Sequence, residues 1–229
     1  MDTPLCLLTR PDAQSRAFAA CLPELDVLIA PILRITALDF DPAVPDAAEA
    51  FIFTSANAVP FAGAARGRSA LCVGTQTAEA AEAAGFQVIE GPGDALRMLP
   101  MLAGRESWLH LHGRHRAREL PVPSLAVYDQ TAVALTAEAR AALAGHRPLI
   151  LPVFSPRSGL LLSDALADAT APIAVVAISE NANAAYSGPA TIRHVAPQPN
   201  RAGMREVILS LVGTERTGFR WVEAERAGR

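Results

Sequence analysis

The chain is poor in the residues that most often announce a chemistry. It has three cysteines, Cys6, Cys21 and Cys72. Their number is odd and no CxxC spacing occurs, which leaves little for a disulfide framework or a zinc site and suits reduced thiols in a cytosolic protein. Aromatic residues make up 5% of the chain, and Tyr128 and Tyr186 are its two tyrosines. Positive charge is not in excess. The formal net charge of −3 argues against a general nucleic-acid binder, so any polyanion site has to be local. No apolar run reaches the roughly 18 residues of a membrane span. The opening MDTPLCLLTR puts no basic leader before its apolar run and reads as a first strand, not a signal peptide. Walker, GxGxxG, nucleophile-elbow and HExxH motifs are all missing. His110, His112 and His115 lie close in sequence, but no neighbouring carboxylate or cysteine completes a ligand set, so no metal is expected.

What is present is apolar. Half of the 229 residues (51%) are hydrophobic and 19% are charged. Such a chain buries a substantial core and is long enough for one large or two small domains. Its pattern repeats. Residues 51–59 read FIFTSANAV and residues 151–161 read LPVFSPRSGLL, with Ser155 lying 100 positions after Ser55. Downstream, Leu71-Cys72-Val73-Gly74-Thr75-Gln76-Thr77-Ala78 is echoed by Val176-Ala177-Ile178-Ser179-Glu180-Asn181-Ala182-Asn183 at an offset of 105, and Phe86-Gln87-Val88-Ile89 by Ile192-Arg193-His194-Val195. An offset of this size points to a duplicated domain, because solenoid repeats are shorter.

The periodicity predicts alternating elements. Strands fall at 50–54, 70–73, 86–89, 107–112, 125–133, 149–154, 173–178 and 191–195. Helices fall at 12–22, 56–65, 75–84, 94–103, 136–144, 157–169, 181–187 and 200–212. The stretch 25–38 is extended and broken by Pro31, 39–45 is a connection, and the charged tail from residue 214 lacks periodicity. Strands that are continuous apolar runs belong to parallel sheets buried on both faces, which gives an α/β fold with right-handed crossovers. Ligands of such sheets bind beyond the carboxyl ends of the strands. The candidates are therefore Arg10, Thr54 with Ser55, Gly74 with Thr75, Gly113 with Arg114, Ser155 and Ser179. Hydroxyls, cations and free backbone N–H groups suit carboxylates or phosphates. Capping alone explains a Ser or Thr after a strand, a solvated surface explains the basic run 113–118, and core packing explains Tyr128.

At Leu7-Leu8-Thr9-Arg10-Pro11, Phe51-Ile52-Phe53-Thr54-Ser55, Val73-Gly74-Thr75-Gln76-Thr77-Ala78, Leu109-His110-Leu111-His112-Gly113, Val127-Tyr128 and Phe154-Ser155-Pro156-Arg157-Ser158 the chain resembles the uroporphyrinogen-III synthase family. The resemblance implies two flavodoxin-like (Rossmann-like) three-layer α/β domains with parallel sheets, joined by a two-stranded β-ladder. Residues 1–35 and 125–213 would form one domain and 38–121 the other, with linker strands at about 32–38 and 125–133 and a tail at 214–229. Family members carry a longer helix where this chain has only 114–124. The implied reaction closes hydroxymethylbilane to uroporphyrinogen III, inverting ring D through a spirocyclic intermediate, without cofactor or metal. By the same resemblance Tyr128 is the family's tyrosine and donates to the departing hydroxyl. Thr54, Ser55, Thr75, Thr77 and Ser155, with Gly74, Gly113, Ser179 and Asn181, bind the substrate's carboxylates, and Arg10 and Arg114 supply charge. Glu180 places a negative charge in a loop that should accept anions. The implied setting is a cytoplasmic monomer that takes its substrate from hydroxymethylbilane synthase, with no nucleic-acid or membrane partner. Two rivals remain at this stage. One is a catalytically degenerate homologue that binds tetrapyrroles or small anions. The other is a two-lobed regulatory protein unrelated to tetrapyrroles.

Overall fold

The computed structural model describes residues 3–116 and 118–212, so the tail predicted at 214–229 lies outside the described residues. In chain order the elements are β1 (Leu5–Leu8), α1 (Asp12–Ala19), β2 (Asp26–Ile29), β3 (Leu33–Ala37), α2 (Ala43–Ala47), β4 (Ala50–Phe53), β5 (Ser69–Cys72), α3 (Thr75–Ala83), β6 (Gln87–Glu90), β7 (Leu109–Gly113), β8 (Ser124–Ala132), α4 (Ala137–Leu143), β9 (Leu149–Val153), α5 (Pro156–Ala165), β10 (Ile173–Ala177), α6 (Glu180–Ala185), β11 (Ile192–Val195) and α7 (Arg201–Val212). The sequence pattern predicts helices over 56–65 and 94–103, and the structure has short 3-10 turns there, Ala56–Phe61 and Leu99–Leu102. Pro60 and Pro100 account for the difference. Each lacks an N–H and crowds the preceding turn, which favours brief i→i+3 turns over a continued α-helix.

Among the described residues two compact units result, one from the stretches up to Arg34 and from Ala132 on, the other between Ile35 and Thr131. The second crossing follows Thr131, so residues 125–131, which the resemblance assigns to the first domain and to a linker strand, fall in the second unit. The extended stretch 25–38 is two strands that serve different sheets, β2 in the first unit and β3 in the second, with Pro31 at the break. The predicted two-stranded ladder is the edge of the second sheet. Leu38 N bonds to Val127 O and Val133 N to Ile32 O, so β3 runs antiparallel to the far half of β8, whose near half pairs in parallel with β7.

The first sheet has the order β11-β10-β9-β1-β2, with neighbouring strands parallel. Side-chain alternation splits its core into two layers. Leu7, Leu149, Leu151, Ile173 and Val175 pack towards α4, α5 and α6 through Leu143, Leu162 and Tyr186. Cys6, Leu8, Ile150, Ala174 and Val176 pack towards α1 and α7 through Phe18, Met204 and Ile208. The second sheet runs β3-β8-β7-β4-β5-β6. One face carries Phe51 and Phe53, stacked at 5.5 Å with Phe86 edge-on to both. The other carries Ile52 and Leu71 beneath Met98, Leu102 and Leu120. Leu120 comes from the connection between β7 and β8.

The strand orders explain the internal repeat. Reading outward, β11-β10-β9-β1-β2 matches β6-β5-β4-β7-β8 strand for strand. The two units have one spatial arrangement, with the chain opened at different points, as in a circular permutation. The sequence echo therefore covers β4 to β6 and β9 to β11 only. In each sheet the strand order reverses at one place, between β4 and β7 and between β9 and β1, and ligand crevices of doubly wound sheets form at such reversals. In the first unit the β1–β9 pairing ends at Cys6–Ile150, two residues before Pro152, which has no N–H to donate.

Candidate functional site

In the second unit Thr54 and Ser55 follow β4, Gly113 ends β7, and Tyr128 stands opposite Gly113 on β8. The Tyr128 ring is 3% exposed and stacks on Phe61, with centroids 6.2 Å apart and planes 15° off parallel. It also lies against the backbone of Gly113. A Cβ at position 113 would sit 2.6 Å from two ring carbons, inside van der Waals contact. The Tyr128 hydroxyl makes no hydrogen bond among the described residues, and it is absent from the atoms sealed away from water. A phenol with a clamped ring and an unspent hydroxyl is arranged to donate outward. Gly113→Ala is expected to displace that ring, lowering turnover by roughly tenfold and costing on the order of 1–3 kcal/mol of stability. Kinetics together with urea denaturation check this, and an alanine variant with unchanged turnover would show that the ring has room to move.

The loop after β7 is tied to the same strand. Arg114 N donates to Tyr128 O at 2.8 Å. The Arg114 guanidinium, which is exposed, lies 3.2 Å from Asp129 Oδ2, and His115 Nε2 lies 3.6 Å from Asp129 Oδ1. Arg114 therefore already has an anionic partner. Thr54 Oγ1 is 2.9 Å from His110 Nε2, and Ser55 accepts from Asn57 N at 3.3 Å at the start of the 3-10 turn.

Two predicted donors in this unit have neighbours within the chain. Thr75 Oγ1 donates to Glu90 Oε1 at 2.5 Å, so its hydroxyl already holds a carboxylate of the chain itself. Thr77 is 5% exposed on the buried side of α3, where helical spacing turns it inward two residues after the corner. Gly74 caps α3 in close approach to a neighbouring turn, since a Cβ there would meet Gly93 Cα at 3.0 Å.

In the first unit Arg10 and Ser155 come to the β1–β9 reversal. The Arg10 guanidinium lies 4.4 Å over the Phe154 ring, a cation–π contact, and its Nε donates to Gln14 Oε1 at 3.1 Å. Burial, and then repulsion from Arg201, lower its pKa to about 10, which leaves it charged at neutral pH. Ser155 is the N-cap of α5 in a reciprocal box: its Oγ accepts from Ser158 N, and its N donates to Ser158 Oγ, both at 3.1 Å. Ser179 caps α6 through Ala182 N at 3.3 Å, and Asn181 is exposed next to the equally exposed Glu180. Sequence reasoning missed Arg201 and the Phe154 platform. Arg201 was legible as a cation opening the last helix, but its nearness to Arg10 depends on the packing of α7 against the sheet.

His110 is fully buried, and its pKa falls to about 3, chiefly through burial, then through His112 and Arg116. The unfolded chain takes up a proton near pH 6.5 that the folded chain refuses. Stability is therefore complete above pH 6.5 and falls as pH drops from there towards 3, by about 1.4 kcal/mol per unit. Urea denaturation at pH 7 and pH 5 is expected to show a slope of this sign that His110→Leu removes. Equal slopes in both proteins would place the linkage elsewhere. Among the described residues no three His, Cys, Asp or Glu side chains come together as a metal site, and no helix is long and apolar enough to cross a membrane.

A family model described as Uroporphyrinogen-III synthase HemD matches residues 24–206. No curated protein matches the chain. Among solved structures, uroporphyrinogen-III synthetase from Helicobacter pylori is 17% identical, over 92% of this chain and 100% of that one, with a TM-score of 0.58, a likeness of fold. A mutant uroporphyrinogen III synthase from Thermus thermophilus is 15% identical, over 92% and 99% of the two chains, with a TM-score of 0.47. With four-fifths of its length under that family model, the chain belongs to the uroporphyrinogen-III synthase family.

Proposed function

We propose that the chain closes hydroxymethylbilane to uroporphyrinogen III as a lyase that releases water and inverts ring D. The observation that carries this reading is the family match over residues 24–206. The bilane closes unaided to the symmetric isomer I, so the protein has to steer between two paths. A 100-fold preference for isomer III needs about 3 kcal/mol of differential transition-state stabilisation. A few charge-assisted hydrogen bonds to the acetates and propionates of ring D are of that size.

In this reading Tyr128 is the general acid. It protonates the departing hydroxyl of the bilane, and its lack of a partner among the described residues supports the assignment. Thr54, Ser55 and the backbone at Gly113 and Gly74 donate to carboxylates in the second unit. Arg10, Ser155, Ser179 and Asn181 do so in the first. Arg114 acts only where a substrate carboxylate displaces Asp129. The protein works as a monomer in the cytoplasm and takes the unstable bilane from hydroxymethylbilane synthase. The test is a coupled assay: porphobilinogen, the bilane-forming enzyme and this protein, followed by oxidation and separation of the uroporphyrin isomers. Mostly isomer III is expected, and isomer I alone from folded protein overturns the reading.

A further inference from the structure

The pair at the β4–β7 reversal, half-buried Thr54 and buried His110, has no role assigned beyond Thr54 as a donor. Ile52 stands opposite both His110 and Leu71, so His110 shares the sheet face of Ile52 and Leu71, as does Thr54 two residues beyond Ile52. That face is apolar, covered by Met98, Leu102 and Leu120. A histidine there is out of place unless its polar atoms are used. One is: Nε2 lies 2.9 Å from Thr54 Oγ1. The other, Nδ1, is sealed from water and has no hydrogen-bond partner.

This asymmetry decides where the ring proton sits. A neutral imidazole carries one N–H and one bare nitrogen. Orphaned buried N–H groups are rarer than under-satisfied acceptors. Placing the hydrogen on Nδ1 would leave a buried donor with nothing to bond. Placing it on Nε2 gives it Thr54 Oγ1 as acceptor and leaves only a bare lone pair unmatched. Neighbouring His112 is set the other way. Arg116 Nη1 donates to its Nε2 at 3.1 Å, and its Nδ1 donates to Gly113 O at 2.7 Å. The two rings lie side by side, with centroids 5.0 Å apart, and the hydrogen-bond partners place their N–H groups on opposite nitrogens.

We propose that His110 is a positioning residue for substrate binding: its Nε2–H occupies a lone pair of Thr54 Oγ1 and leaves the threonine proton directed outward, to a carboxylate of the substrate. In the opposite tautomer Thr54 would spend its proton on His110 and offer a carboxylate only lone pairs, which repel it. Thr54 is half-buried at the strand end and has no other hydrogen-bond partner among the described residues. The inference rests on the reading of Thr54 as a carboxylate donor and adds what makes it a donor.

The test has two arms on the full chain. Long-range nitrogen–proton correlation spectra at pH 7, with His110 assigned by comparison with His110→Gln, are expected to show Nε2 protonated and Nδ1 bare. The reverse tautomer overturns the proposal. In the coupled assay, His110→Leu is expected to raise KM roughly tenfold with kcat within about twofold, the pattern of a lost carboxylate contact away from the reacting carbon. Thr54→Val should do the same, and adding His110→Leu to it should cost less than about twofold more, because the two residues act through one hydroxyl. His110→Gln, whose amide can donate to Thr54, should recover most of the loss. Additive losses, or a fall in kcat with KM unchanged, overturn the proposal. Thermal melting separates these effects from misfolding. Wild type that yields only isomer I overturns the functional reading, whereas active wild type with Nδ1 protonated overturns only the assignment of His110.

Discussion

Tyr128→Phe is expected to slow formation of isomer III by about 100-fold or more while leaving the protein as stable as before. The two halves of this expectation come from one geometry. The ring is held by Phe61 and Gly113, which phenylalanine preserves, and the hydroxyl bonds to nothing among the described residues, so the fold loses nothing with it. The contrast is Tyr186. It is 1% exposed and donates to Pro189 O at 2.8 Å, and burial pushes its pKa up to about 12. Tyr186→Phe should cost about 1 kcal/mol of stability and little activity. Isomer analysis and melting curves on the two variants separate the tyrosines. If Tyr128→Phe keeps full rate, Tyr128 is packing and the acid lies elsewhere.

Arg68→Met is expected to destabilise the second unit by about 3–4 kcal/mol, the largest effect on stability of any single change considered. All 20 basic residues counted as Lys or Arg are arginine, and Arg68 shows what the guanidinium fork offers. It donates to five carbonyls, Pro45 O at 2.8 Å, Ala48 O at 3.0 Å, Ala62 O at 2.9 Å, Ala64 O at 2.6 Å and Ala65 O at 3.2 Å. It also lies 4.6 Å over the Phe51 ring. Those carbonyls belong to the ends of α2 and of the first 3-10 turn and the loop beyond it, where helical bonding runs out. Both segments lead into or out of β4, so the clamp fixes the approach to the Thr54 corner. Methionine keeps the stem and removes every donor. Lysine keeps the charge without the planar fork and should recover less than half of the loss. Urea denaturation gives the answer, and a loss below about 1 kcal/mol for the methionine variant would mean that water replaces the clamp.

Much of this was legible in local chemistry. Apolar runs such as Phe51-Ile52-Phe53 and Leu149-Ile150-Leu151 are strands because both their faces are buried. Ser155, Ser179 and Thr136 are caps because a short hydroxyl after an extended residue satisfies the first free N–H groups of a helix. The spacing at 56–65 and 94–103 is helical, but Pro60 and Pro100 cut both stretches down to 3-10 turns. The surroundings of Thr75 and Thr77 were not legible. Glu90 is 15 residues beyond Thr75, and nothing in the spacing shows that β5 and β6 become neighbours.

Fold class, the duplicated strand-and-corner unit, the family resemblance and the hydroxyl character of the strand ends all follow from the order of residues alone. These depend on residue type and on period along the chain, which local sterics and burial impose directly. Tertiary structure decided which strands are neighbours, and with that the permuted relation of the two units, the seat of Tyr128 between Phe61 and Gly113, the pairing of Arg114 with Asp129 and the join of His110 to Thr54. Each of these brings together residues 15 to 67 positions apart, and a hydrogen bond or ring contact at that separation exists only once the strand order has been fixed by the whole core.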